Sequence, residues 1–381
     1  MSIPGSVSSL ARSLARAIDW SLVAPALVLT ALGILTMHTF GTGVSLAPRQ
    51  LMWAGTAFIA YLVFASVDMR FLRRTPVIIT AYGVVIGLLV LLLVAAHAVM
   101  GAKSWFVIGG FSFQPADLAK LVLITLLAKY LSRRHVEIAD WRHIIVSGVY
   151  AGLLVLLVLV EPDLGTAVIL GSIWLGLMLV SGISKKHLAT IGFLLFVVAT
   201  GLWFGGLKPY QRARITSFVN PAASRLGAGY NAYQAMIAVG SGELAGKGIG
   251  YGTQSKLRFL PQYQTDFIFA AYAEEWGFVG IALAFALYAL LFVRLFVIAR
   301  NAGTNFDAFF TLGVAILFMA HFTIHTGINV GLLPVTGTTT PFMSYGGSHL
   351  VMEFTALGIV TALARHGRGV SRALADQEYK G

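Results

Sequence analysis

Stretches of about 20 predominantly apolar residues, the length a helix needs to cross the hydrocarbon core of a bilayer, recur along this chain almost without pause. They fall at roughly 20–39, 50–66, 77–97, 117–132, 144–161, 164–183, 188–205, 267–293, 308–332 and 349–364. Lipid offers no partner to backbone N–H and C=O groups, so such segments fold as helices that satisfy their own backbone. The fifth and sixth runs nearly meet at "EPDLG" (161–165), which predicts a tight hairpin, and the eighth is long enough to tilt. The predicted fold class is an all-α polytopic membrane protein with about ten transmembrane helices. Composition agrees, with 57% of the 381 residues hydrophobic and 11% charged, against about 25% charged in a soluble domain. The absence of cysteine excludes disulfides and thiolate metal sites. No small-residue cleavage site follows the first apolar run, so no cleavable signal peptide is expected.

The net charge of +12 would suggest nucleic acid in a soluble protein. Here its placement matters more, because basic residues flank the cytoplasmic ends of spans. With both termini assigned to the cytoplasm, most of the 27 basic residues fall inside, among them Arg70, Arg73, Arg74, Lys129, Arg133, Arg294, Arg300 and Arg365. The short outer stretches and the fourth span hold only Arg49, Lys103 and Lys120. A large extracytoplasmic loop, about 206–265 between spans seven and eight, carries Lys208, Arg212, Arg214, Arg225, Lys247, Lys256 and Arg258 against one acid, Glu243. Such a loop is either a solvated surface beside anionic headgroups or a cradle for an anionic ligand presented from the outer leaflet. A single membrane domain over 1–381 is expected, and no internal repeat points to an inverted-repeat transporter.

Charges within spans cost roughly 2.5–3.5 kcal/mol on insertion scales and so mark function or specific pairing. "FQPADLAKLVL" (113–123) opens the fourth span with Asp117 and Lys120 on one helix face. They form either a structural ion pair or a phosphate-holding lysine oriented by its acid. "LVEPDLGTAVIL" (159–170) sets Glu161 and Asp163 around a proline, where Asp163 could also cap the next helix. Asp266, Glu274 and Glu275 follow in "TDFIFAAYAEEWG" (265–277), the two glutamates being catalysts or buried anchors. "GSGELAGKGIGYGTQ" (240–254) lacks the first glycine and the final Ser or Thr of a Walker A loop. A backbone nest for pyrophosphate stays open there. The nine histidines show no metal-ligand spacing. "GLLPVTGTTTPFMSYGGSHL" (331–350) breaks helix geometry at the outer face, which membranes tolerate only where the backbone is buried in protein or lines a cavity.

Taken in order, "QPADLAK" (114–120), "EPDLGTA" (161–167), "YQRARITSFVNP" (210–221), "GAGYNAYQAMIAVGSGELAGKGIGYGTQSKLRFLP" (227–261), "TDFIFAAYAEEWG" and "GLLPVTGTTTPFMSYGGS" (331–348) resemble the SEDS family (shape, elongation, division and sporulation) over about Arg49 to Arg365. "GTQSKLRFLP" is most similar to the elongation branch. The resemblance implies a peptidoglycan glycosyltransferase of the bacterial inner membrane that polymerises lipid II during cell elongation. Asp266 matches the family's essential acid. Arg49, Lys103, Gln114, Asp117, Lys120 and Asp163 match polar positions of its substrate cavity. The implied partners are a class B penicillin-binding protein transpeptidase and elongation-complex scaffold proteins, with no role for nucleic acid. Gln262 stands where Glu is usual, Gln264 where His is common, His325 where Asn is common and Asp117 where Glu is usual.

Polymerisation from an α-linked pyrophosphate donor to a β-1,4 linkage needs one in-line displacement. A single carboxylate base suffices for that, as in half of an inverting glycosidase. Asp266 is the expected base, with Lys120, Arg49, Lys103 and Arg214 as cations for the departing pyrophosphate. A divalent cation, Mg²⁺ or Mn²⁺, could assist. Two other readings use the same residues: a lipid-linked precursor flippase, which needs polar residues continuing to the inner face, and a non-catalytic scaffold for a transpeptidase.

Overall fold

The computed structural model describes residues 18–38, 46–95, 104–108, 111–134, 140–207, 209–219, 229–257 and 259–378. Each of the apolar runs coincides with a helix: α1 Trp20–His38, α2 Ala47–Ser66, α3 Thr75–Ala95, α4 Pro115–Arg134, α5 Trp141–Val160, α6 Leu164–Val180 and α7 Lys185–Gly201 in the first part. Among the described residues, seven helices are long and apolar enough to cross a membrane; α6, at 17 residues, is apolar but shorter. An antiparallel hairpin, β1 Phe106–Ile108 with β2 Phe111–Phe113, leads into α4.

The segment expected as one large loop is mainly helical in its described residues. It holds α8 Pro209–Val219, α9 Tyr230–Ser241 and the single turn α10 Thr253–Lys256. The reason lies in α9, where Ala235 and Ala238, three residues apart on one face, are buried with Leu260, Phe267 and Ile328. Three long helices close the chain: α11 Ile268–Arg300, α12 Asn305–Asn329 and α13 Gly347–Glu378.

Helix α12 packs against α4, α6, α11 and α13, while α2 lies along α13 and α1 along α11. Lipid tails are as apolar as leucine, so small residues that let helices approach do much of the packing. A β-carbon at Gly313 of α12 would come 2.6 Å from Ile124 Cγ2 of α4. Short caps set the helix ends: Asp140 accepts from Arg142 N at 3.0 Å to start α5, and Thr304 from Asp307 N at 3.3 Å to start α12.

Helix α11 is broken at Gly277 (φ 63°, ψ −162°). The freed backbone groups are taken up by the glycine-rich loop 242–250. Lys247 N donates to Glu274 O at 2.9 Å and Gly248 N to Glu275 O at 3.0 Å; beyond the break, Phe278 N donates to Glu243 O and Val279 N to Leu244 O. Only glycine fits this approach, because a β-carbon on Gly246 (φ 78°) would stand 2.1 Å from Glu275 O. A helix interrupted within a membrane protein persists when neighbouring segments satisfy it in this way.

The two ends of the bundle differ. At one end, ion pairs join Arg73 to Asp307 at 2.7 Å and Arg294 to Asp19, and Arg365 reaches the Ser66 carbonyl. At the other end lie the starts of α2, α4, α6, α11 and α13 and the end of α12, together with the irregular stretch that joins α12 to α13.

Candidate active site

That irregular stretch organises the second end. Pro334–Gly346 has no helical ladder, and its backbone groups are met by side chains from several helices. His325 and His321 of α12 place Nδ1 2.9 Å from Thr338 O and 3.2 Å from Thr339 O. Gln50 of α2 donates to Ser344 O at 3.1 Å, Glu353 of α13 accepts from Phe342 N at 2.8 Å, and Ser344 Oγ donates to Thr265 O at 2.8 Å. Gly165 lets the stretch lie on the start of α6, since a β-carbon there would meet Thr336 O at 2.9 Å.

Asp266 sits half-buried in the turn before α11. Thr265 N and Phe267 N both donate to Gln262 O, at 3.1 and 3.2 Å, which closes the turn. Asn329 clamps it from α12, donating to Asp266 O at 3.2 Å and accepting from Ala270 N at 3.1 Å. A β-carbon on Gly337 would lie 3.6 Å from Asp266 Oδ2, so the irregular stretch shoulders the carboxylate. Burial pushes the Asp266 carboxyl up to about 6; a hydrogen bond with Thr265 and the charge of Arg214 pull against that, and Asp163 adds to it.

Beside it opens a cleft lined by Pro162, Leu164, Gln211, Arg214, Ile215, Pro334, Val335 and Thr336. Arg214 comes from α8, exposed at the cleft, with Nη1 3.4 Å from Val335 O. Asp163 caps α6 through Thr166 N at 2.9 Å and Thr166 Oγ1 at 2.8 Å, as its position beside the proline suggested, and also accepts from Gln114 Nε2 at 3.1 Å. Glu161 is fully buried next to it, with neither carboxylate oxygen hydrogen-bonded among the described residues. Burial, reinforced by Asp163, raises its carboxyl to about 8.

Lys120 and Asp117 form a buried pair at 2.9 Å. The sequence reading does not single out the residues completing this pair, His349, Ser348 and Glu353 of α13. A histidine and a glutamate four residues apart in an apolar run were the available signal. Arg49 sits exposed in the first turn of α2 and is not brought into this group. Lys103 lies outside the described residues, as do Lys208, Arg225 and Arg258.

Other polar candidates serve the fold. Glu274 Oε1 accepts from Lys247 Nζ at 2.7 Å and from Thr253 Oγ1 at 3.0 Å, and Glu275 Oε1 accepts from Gly250 N at 2.6 Å. These two are buried anchors for the helix break. The Lys247 and Gly248 N–H groups that a pyrophosphate nest would need already face helix carbonyls. Among the described residues no group of three or more His, Cys, Asp or Glu side chains is placed to hold a metal ion.

The FtsW/RodA/SpoVE family, described as cell cycle proteins, matches residues 13–369. The chain is 33% identical over 364 residues to stage V sporulation protein E of Bacillus subtilis, covering 92% of this chain and 98% of that one. It is 33% identical over 336 residues to the peptidoglycan glycosyltransferase MrdB of Escherichia coli K12, covering 88% and 90%. Among solved structures it is similar to a chain from a study of the coordination of polymerization and crosslinking by a peptidoglycan synthase complex. That match has a TM-score of 0.78 at 31% identity over 92% of this chain and 98% of that one. It is similar also to the crystal structure of Thermus thermophilus rod shape determining protein RodA, with a TM-score of 0.69 at 29% identity over 91% and 96%.

Proposed function

This chain belongs to the FtsW/RodA/SpoVE family of membrane-embedded peptidoglycan glycosyltransferases, and from that premise we propose that it polymerises lipid II by inverting transfer with Asp266 as general base. The observation that carries this reading is a half-buried carboxylate shouldered by Gly337 and within the influence of Arg214, which lines the neighbouring cleft; burial pushes that carboxyl up to about 6. Such a group is ionised at neutral pH yet close enough to it to take a proton efficiently.

The acceptor 4-hydroxyl gives its proton to Asp266 as its oxygen bonds the donor's anomeric carbon. The bond from that carbon to pyrophosphate breaks on the opposite face, and the leaving group carries away the electron pair. Lys120, one of whose three N–H donors is taken by Asp117, and Arg214 at the cleft supply positive charge where the leaving group gains negative charge.

We further propose ten membrane crossings, cytoplasmic termini and an outward site in the bacterial inner membrane, a topology supported by Arg73, Arg294 and Arg365 at the end opposite Asp266. "GTQSKLRFLP" favours cell elongation over septation. The complex named for the similar solved chain supports a class B penicillin-binding protein as partner. Purified protein given lipid II should form glycan strands, and Asp266→Ala should form none while staying folded. Equal synthesis by both would overturn the base, and rounded rather than filamentous cells on depletion would support elongation.

A further inference from the structure

His349 and Glu353 lie four residues apart on α13, hence on one face, and both are buried. His349 Nδ1 is 3.0 Å from Asp117 Oδ1, the oxygen that also accepts from Lys120 Nζ at 2.9 Å. On its other side His349 Nε2 is 2.9 Å from Glu353 Oε1 and 2.9 Å from Thr339 Oγ1. Glu353 Oε2 accepts from Phe342 N at 2.8 Å, and Asp117 Oδ2 accepts from the Ser348 hydroxyl at 3.2 Å. A line of contacts thus runs from Lys120 on α4, through α13, into the irregular stretch that shoulders Asp266 at Gly337. Thr339, the second tie, is two residues from that glycine.

Charge gives the line its direction. Two carboxylates and one lysine leave one negative charge uncompensated in a site almost closed to water, which is costly. An imidazole meeting a carboxylate at each nitrogen can supply the balance by holding a proton on both. Lys120 has one described partner, Asp117, so the orientation of Asp117 decides where the remaining ammonium donors point. Asp117 in turn is held on both oxygens by α13, mainly through His349.

We propose that His349 is a positioning residue that acts through Asp117 to aim Lys120, keeping the pyrophosphate-binding cation in register with Asp266. This rests on the reading of Lys120 as a pyrophosphate ligand. A histidine that merely glues α4 to α13 would affect stability alone. A positioning histidine must instead be energetically coupled to Lys120.

The test is a double-mutant cycle on the full-length protein in lipid nanodiscs, read by lipid II polymerisation and separately by undecaprenyl pyrophosphate binding. His349→Ala should lower kcat/KM about 10- to 100-fold and Lys120→Ala by more. The double variant should be no worse than Lys120→Ala alone, and binding should follow the same non-additive pattern. His349→Gln, which keeps one donor, should recover part of the loss and serves if the alanine variant does not fold. Additive losses, or wild-type kinetics in a folded His349 variant, would overturn the positioning role while leaving the polymerase reading intact. Non-additive pyrophosphate binding without any polymerisation would do the reverse. Binding that ignores both residues would also overturn the positioning role.

Discussion

Asn329 holds the backbone of Asp266 through one buried amide, its Nδ2 on Asp266 O at 3.2 Å and its Oδ1 on Ala270 N at 3.1 Å. The end of α12 is thereby fastened to the start of α11 where the carboxylate emerges. Replacing Asn329 with leucine leaves the Ala270 N–H buried without a partner, a cost of about 1–3 kcal/mol. It also frees the turn. Thermal unfolding should show that loss, and lipid II polymerisation should fall about 10- to 100-fold, the penalty for a carboxylate out of place. Unchanged turnover would mean that the turn holds Asp266 unaided.

Because Asp266 titrates at about 6, kcat/KM should rise with pH through that value and level off above it. The stability consequence has the opposite sign. The folded state binds this proton more tightly than the unfolded chain, whose carboxyl titrates near 3.8, so the group's contribution falls as pH rises from 3.8 to about 6. Asp266→Asn should then be inactive, yet unfold at the same or a higher temperature than wild type at pH 7.5. A lower melting temperature would contradict the origin assigned to the shift.

Glu161 makes a related prediction without catalysis. Its carboxyl, moved from 4.5 to about 8 by burial, costs the fold stability as pH rises through that interval. Glu161→Gln keeps the shape and removes the titration. Melting curves of the two proteins should coincide near pH 5 and separate in favour of the variant at pH 9.

Gly246→Ala should be far more damaging than an ordinary surface change. Its β-carbon would enter the space of Glu275 O at 2.1 Å in a backbone conformation that alanine rarely adopts. A loss above about 2 kcal/mol is expected, seen as aggregation on size exclusion or a sharply lower melting temperature.

The helices were legible because a bilayer imposes length and apolarity on each one separately. Lys120 and Asp163 stand out in the sequence because charge near apolar runs is costly enough to need a reason, whereas Asp266 stands out through the family resemblance and Arg214 only as one of seven basic residues in the long loop. The break in α11 was hidden by an apolar run that continues through Gly277 without a proline. The loop 242–250 looked like an anion nest because glycine-rich backbone presents the same N–H groups to a helix as to a phosphate. Asn329, His349 and Glu353 were hidden for a different reason. Their partners are backbone groups or side chains far along the chain, and no local spacing records a contact between residues 117 and 349.

The stretch 334–346 owes its shape to α2, α12 and α13 and to the turn before α11 together, each providing a hydrogen-bond partner that the stretch lacks within itself. A chain with any of these helices still outside the bundle would lack an ordered shoulder for Asp266. Catalytic competence would thus arrive only with the last helix. A partly inserted copy would be silent rather than wasteful of a precursor that is expensive for the cell to make.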